Sequence, residues 1–202
     1  MSDFIYVDNS NLYIEGKRVS AVVRGLAMNI YDAMNNRILD QEYTISFGRL
    51  HEFVAGTDQS QIARAVLFGS RPPPNDSIWT RAKEAGFELI LEDRNIANKE
   101  KKIDTGIVAA MTRDAYKRAD PEKDVMVLVA GDGDFVPAVR QLIEDGYKVH
   151  VVFWDHCAKE LREAASGFTS LNSHLEYLRL KKRDGYGDRT LPHELPFGEE
   201  NG

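Results

Sequence analysis

Asp8, Asp132 and Asp134 each stand where a short apolar run ends. Phe4-Ile5-Tyr6-Val7 runs into Asp8-Asn9-Ser10-Asn11, and Val125 to Ala130 runs into Gly131-Asp132-Gly133-Asp134. Carboxylates brought together in this way hold hard divalent cations, and a donor set without histidine or cysteine suits Mg2+ or Mn2+ rather than zinc. Such ions activate water and stabilise the leaving oxygen in phosphodiester cleavage. The plainer reading is that each aspartate closes a turn or caps a helix, a role worth about 1 kcal/mol. The choice turns on whether the fold gathers these residues and adds others.

The elements that would position them follow from pattern. Val125 to Ala130 is β-branched and apolar throughout, as in a strand covered on both faces. Phe135 onward has apolar residues at helical spacing up to a stop at Gly146. Further strands are expected over Phe4–Val7, Arg64–Phe68, Phe87–Leu91 and Tyr147–Phe153, with helices over Phe47–Val54, Asp76–Ala85, Asp104–Arg118 and Ala158–Ala165. A final packed segment covers Phe168 to Leu178. Strands alternating with helices imply a parallel sheet with right-handed crossovers. If the chain winds outward through three strands and then crosses back, the order is 3-2-1-4-5, with the topological switch between strands one and four. Ligands bind at such a switch, outside the carboxyl ends of the strands. Asp8, Asp132, Asp134 and Asn11 fall there, and Asp104 opens the helix that leads into strand four. Asp104 also has a plain reading as that helix's cap.

Around this acidic centre the sequence offers cations. Asn95 to Lys102 reads as a polar loop carrying Lys99, Lys101 and Lys102, and Arg71 and Arg94 follow the ends of strands two and three. These side chains would rim the centre and hold backbone phosphates; a charge run is otherwise a solvated loop.

The rest of the chain sets limits. The 202 residues suit one domain, 1–180, followed by a charged tail, 181–202, expected to be disordered. Residues 17–45 read as an insertion beside the active edge, either a contact for substrate or a second subunit, or a structural cover for the sheet. A net charge of −6 argues against a general nucleic-acid coat but leaves room for one local groove. No run is long enough to span a bilayer, and no secretory or transit signal is evident, so the cytoplasm is the expected compartment. The single cysteine, Cys157, excludes an internal disulfide, and the five histidines show no paired metal-ligand spacing. Adjacent His156 and Cys157 do not make a nucleophile–base pair. An aspartyl phosphatase built on Asp8 wants a second acid where Ser10 stands, and aspartates among the glycines of 131–134 disfavour a dinucleotide loop.

Val7-Asp8-Asn9-Ser10-Asn11, Lys101-Lys102-Ile103-Asp104 and Gly131 to Val139 together resemble the LabA-like NYN family of the PIN-like nuclease superfamily. The likeness covers about Phe4 to Leu178. It implies a PIN-like three-layer α/β/α sandwich and ribonuclease activity with Mg2+ or Mn2+. Carried over to this chain, it implies that Asp8, Asp104, Asp132 and Asp134 form the metal site and Asn11 supports it. The expected partner is RNA, single-stranded or structured. Many family members carry another acid where this chain has Ala110, which puts a second metal position in doubt. The alternative is a regulatory or scaffold protein that keeps the fold and binds RNA or a protein without cleaving.

Overall fold

The computed structural model describes residues 2–56, 61–71, 77–93 and 99–181. Its centre is a six-stranded parallel sheet: β1 (Asp3–Asp8), β2 (Ile62–Arg71), β3 (Glu88–Asp93), β4 (Val125–Val129), β5 (Lys148–Phe153) and β6 (Gly167–Ser170), in the order 3-2-1-4-5-6. The expected order 3-2-1-4-5 is therefore present, with one strand added. Gly167-Phe168-Thr169-Ser170 is short and half-buried throughout, so it lacks the apolar signature of the inner strands. The inner strands are what a two-sided cover demands: Ile5, Tyr6, Val7, Val127, Leu128 and Val129 are fully buried. Burying each such aliphatic side chain is worth roughly 1.5–3 kcal/mol.

Helices cover both faces. α1 (Asn9–Val23), α3 (Phe47–Ala55) and α4 (Ser77–Glu84) connect the strands that wind outward, with α1 and α3 lying on β1 and β2. α5 (Lys99–Lys117) crosses back over the other face, on β3, β2 and β1, and α6 (Val136–Glu144) continues beside it on β5. α2 (Ile30–Asn35), α7 (Lys159–Ala164) and α8 (Leu175–Leu178) are short. The C-terminal strand-like bridge of Arg179 to Ile45 and the Tyr43 hydroxyl, which donates to the Leu175 carbonyl at 3.1 Å, tie the end of the fold to the α2–α3 connection.

Three local expectations change. Asn9-Ser10-Asn11 is the first turn of α1 rather than a loop, because Asp8 caps the helix directly from the strand end. The stretch 17–45 accordingly begins inside α1; Gly25, at φ +72°, ends that helix, and α2 follows as a separate turn-and-a-half. Finally, α5 starts at Lys99, so Lys99, Lys101 and Lys102 belong to a helix and Asp104 is not its cap. The tail beyond Lys181 lies outside the described residues.

Candidate active site

Parallel strands place their carboxyl ends at one edge, and the register fixes who meets there. Val7 is paired with Val129, and Asp8 with Phe68. Asp8 thus ends β1 level with the close of β4, three residues before Asp132. Asp8 is buried, and its Oδ1 accepts the Asn11 backbone N–H at 3.1 Å. Asn11 in turn accepts the Gly131 N–H on its Oδ1 at 3.0 Å. One hydrogen-bonded chain therefore ties the end of β1 to the loop that carries Asp132.

That loop is held from its other side too. The Gly131 carbonyl accepts the Ala158 N–H at 2.9 Å, and a Cβ at residue 131 would run into the Phe153 ring. Glycine is required there for close approach. Asp132, in extended backbone, accepts the Asp134 N–H at 3.0 Å and so caps the 3-10 turn Gly133–Phe135. Phe135 anchors the turn in the core, and Pro137 sits at the start of α6, where its missing N–H costs nothing. Asp132 and Asp134 are exposed, and among the described residues no cationic side chain pairs with either.

Asp104 lies in the second turn of α5, half-buried. α5 runs against the strands, so its N-terminal end is at this same edge; the helix as a whole packs on β1 and touches the Gly133–Phe135 turn. The N-termini of α1, α5 and α6 all arrive here, and their N–H dipoles favour anions. Among the described residues, no three histidine, cysteine, aspartate or glutamate side chains are already gathered to hold a metal ion. The Ala110 side chain is buried in the core. Asp114 also faces away from the edge: its Oδ2 accepts from the Tyr6 hydroxyl at 2.9 Å and pairs with Arg64 at 2.5 Å.

Of the basic rim, Lys102 is exposed at the start of α5. Arg94 lies outside the described residues, as do the side chains of Arg71, Lys99 and Lys101. Sequence reasoning missed a neighbour of the edge. His156, just past β5, bonds Glu15 Oε2 through Nε2 at 2.7 Å, and Glu15 also pairs with Arg18. Two residues 141 positions apart leave no local signal of such a pair. Cys157, by contrast, is buried, and burial pushes its thiol up to about 11, the opposite of an activated nucleophile.

The sequence itself matches a known family. The NYN domain model matches residues 4–172. The chain belongs to the NYN domain family. NYN domains are PIN-like and generally nuclease-like. No curated protein gives a significant match. Among solved structures, the crystal structure of a Vibrio parahaemolyticus protein of unknown function, VPA0982, is similar at 19% identity and a TM-score of 0.59, covering 84% of this chain and 92% of that one. At that identity the likeness bears on the fold alone. No helix among the described residues is long and apolar enough to cross a membrane.

Proposed function

We propose that this NYN domain is a metal-dependent nuclease that hydrolyses phosphodiester bonds of RNA. The observation that supports it most is the tie from Asp8 through Asn11 to Gly131, which holds the ends of β1 and β4 in fixed relation at the topological switch. The donors available there, Asp8, Asp104, Asp132 and Asp134, are all carboxylates. That set fits Mg2+ or Mn2+, which commonly take one or two protein carboxylates and complete their shell with water and phosphate oxygens. Such an ion, when bound, lowers the pKa of water and offsets charge on the leaving oxygen.

The chain's own residues do the rest. Asp132 and Asp134, free of cationic partners among the described residues, offer negative charge to the cation. Asn11 keeps the two strand ends in register. The N-termini of α1, α5 and α6 would attract the substrate phosphate to this edge. Lys99, Lys101, Lys102, Arg71 and Arg94 would hold flanking phosphates, which position the strand without reading its sequence. The cytoplasm, where RNA is available and a lone buried thiol stays reduced, suits this activity.

A second reading has an observation behind it. No three candidate ligands stand ready-gathered among the described residues, and Ala110 supplies no further acid. A non-catalytic NYN domain that binds RNA or a protein would look the same in these respects. Incubation of labelled single-stranded RNA with Mn2+, with EDTA, and with the Asp132→Asn variant separates the two. Cleavage by the wild type with Mn2+ alone is the expected result. Intact RNA in every lane, with the RNA still bound, would favour the binding module.

A further inference from the structure

Glu15 stands one turn beyond Asn11 on α1, so the two side chains share a face of that helix. Both reach across to the loops that follow the neighbouring strands. Asn11 accepts the Gly131 N–H at 3.0 Å, and Glu15 Oε2 bonds His156 Nε2 at 2.7 Å. The other Glu15 oxygen pairs with Arg18, a turn further on. The side chains of Glu15 and His156 are each 12% exposed. A carboxylate this buried is costly unless partners surround it, and the fold supplies one from its own helix and one from beyond β5.

The two bridges close a ring. His156 lies in the turn after β5, where the Cys157 N–H donates to the Trp154 carbonyl at 2.9 Å. Ala158, two residues on, donates its N–H to the Gly131 carbonyl at 2.9 Å, and its side chain bounds the space beside Gly133. The ring therefore runs from Asn11 to Gly131, on to Ala158, back through His156 to Glu15, and so to α1. Asp132 and Asp134 hang from it: Gly131 directly precedes Asp132, which accepts the Asp134 N–H. Packing already seats α1 here. Trp154 Nε1 donates to the Leu12 carbonyl at 3.0 Å, and a Cβ on Gly16 would lie 2.7 Å from the Trp154 ring. To that contact, a satisfied buried polar network adds rigidity and a single arrangement.

We propose that Glu15 and His156 are positioning residues for the carboxylates of the acidic edge. Their bond holds the 154–158 segment on α1. That segment holds Gly131, and with it Asp132 and Asp134, in relation to Asp8. Neither Glu15 nor His156 is a ligand in this scheme, and neither touches substrate. The functional consequence rests on the nuclease reading; the rigidity of the loop does not. Groups that orient metal-binding side chains from behind change metal affinity or activity by about 10–100-fold when replaced. Here the effect passes through backbone, so about 10-fold is expected.

The test uses the full chain with His156→Leu, His156→Gln and Glu15→Gln. Gln at 156 keeps a donor at the reach of Nε2, whereas Leu does not. Tyr147→Phe is the control, because it loses a buried bond to the Ala115 carbonyl, 2.8 Å long, at the other end of β5. Two quantities are read: amide exchange over residues 131–135 without metal, and the Mn2+ concentration that gives half the full rise in Tm. His156→Leu should lose protection over 131–135 and need about 10-fold more Mn2+. His156→Gln should recover most of both, Glu15→Gln should fall between, and Tyr147→Phe should match the wild type. A folded His156→Leu or Glu15→Gln protein with wild-type exchange over 131–135 overturns the proposal. So does a loss of protection that Tyr147→Phe reproduces, since it would report stability alone. A wild-type Tm that ignores Mn2+ counts against the nuclease reading, while the loop exchange still decides whether Glu15 and His156 position the aspartates.

Discussion

Two sets of aspartates on the same fold have opposite surroundings. Asp114 is fully buried on α5, with Arg64 at 2.5 Å, the Tyr6 hydroxyl at 2.9 Å and Arg118 at 3.3 Å. Arg64 goes on to Glu88, also at 2.5 Å, and each partner is held by the next. The Tyr6 hydroxyl is pushed well above its ordinary range, by burial first and then by the Asp114 charge. Asp132 and Asp134 sit at the edge, exposed, with backbone N–H contact but no cation among the described residues. About 15 Å of helix separates Asp104 from Asp114 on α5. A charge whose partners are supplied by the chain contributes to the fold; a charge whose partners are missing is available to a ligand.

The comparison breaks most readily at Asp114. Replacing it with alanine takes the Asp114 carboxylate from the largely buried Arg64, which keeps only the half-exposed Glu88, and leaves the buried Tyr6 hydroxyl without its acceptor; breaking a buried pair in this way costs up to about 3–5 kcal/mol. Urea denaturation measures it. The same experiment on Asp132→Asn in EDTA should move stability by no more than about 0.5 kcal/mol, because Asn keeps the Oδ1 that caps the turn. Equal losses at the two positions would erase the distinction between them.

The helix that carries Asp104 sharpens it. Lys99, Lys101 and Lys102 open α5, so their replacement by alanine leaves the Asp114 cluster untouched at the helix's other end. With about three phosphate contacts removed, the slope of log affinity against log salt for single-stranded RNA should fall by roughly 2. Filter binding over a salt series reads this, and an unaltered slope would make the lysines a solvated turn.

How far the sequence led is clearest at particular residues. β1 and β4 announce themselves by unbroken apolar runs, and the crossover rule then brings Asp8 and Asp132 to one edge. β6 was hidden because a half-buried edge strand needs little apolar content. Asn9-Ser10-Asn11 reads as a turn by residue type, yet a cap at Asp8 makes it helix. Asp104 looks like a cap because the lysines before it suggest a loop; in the structure α5 already runs through them. The Glu15–His156 pair depends on distant chain segments meeting, which no local pattern encodes.

A smaller effect concerns Asp3, at the opposite end of β1. Burial and then the neighbouring Asp124 push its carboxyl up to about 6, above the ordinary 3.8. The unfolded chain therefore loses this proton first, and the folded state is favoured at low pH. That contribution is complete below about pH 4 and is lost as pH rises through 6. Asp3 is only half-buried, so solvent screening holds this to about 1 kcal/mol. Melting of wild type and Asp3→Asn between pH 4 and 7 should differ in slope in that window; parallel curves would show that Asp3 does not titrate there.

The acidic edge itself is tested most directly by melting the wild type and Asp132→Asn with and without Mn2+. Selective binding to the native state at a hundredfold excess over the dissociation constant stabilises by about 2.7 kcal/mol. The wild type should therefore melt higher as Mn2+ is added, and Asp132→Asn should respond much less while matching the wild type in EDTA. A wild-type Tm indifferent to Mn2+, together with an Asp132→Asn variant that is markedly destabilised in EDTA, would make Asp132 a turn residue and contradict the account.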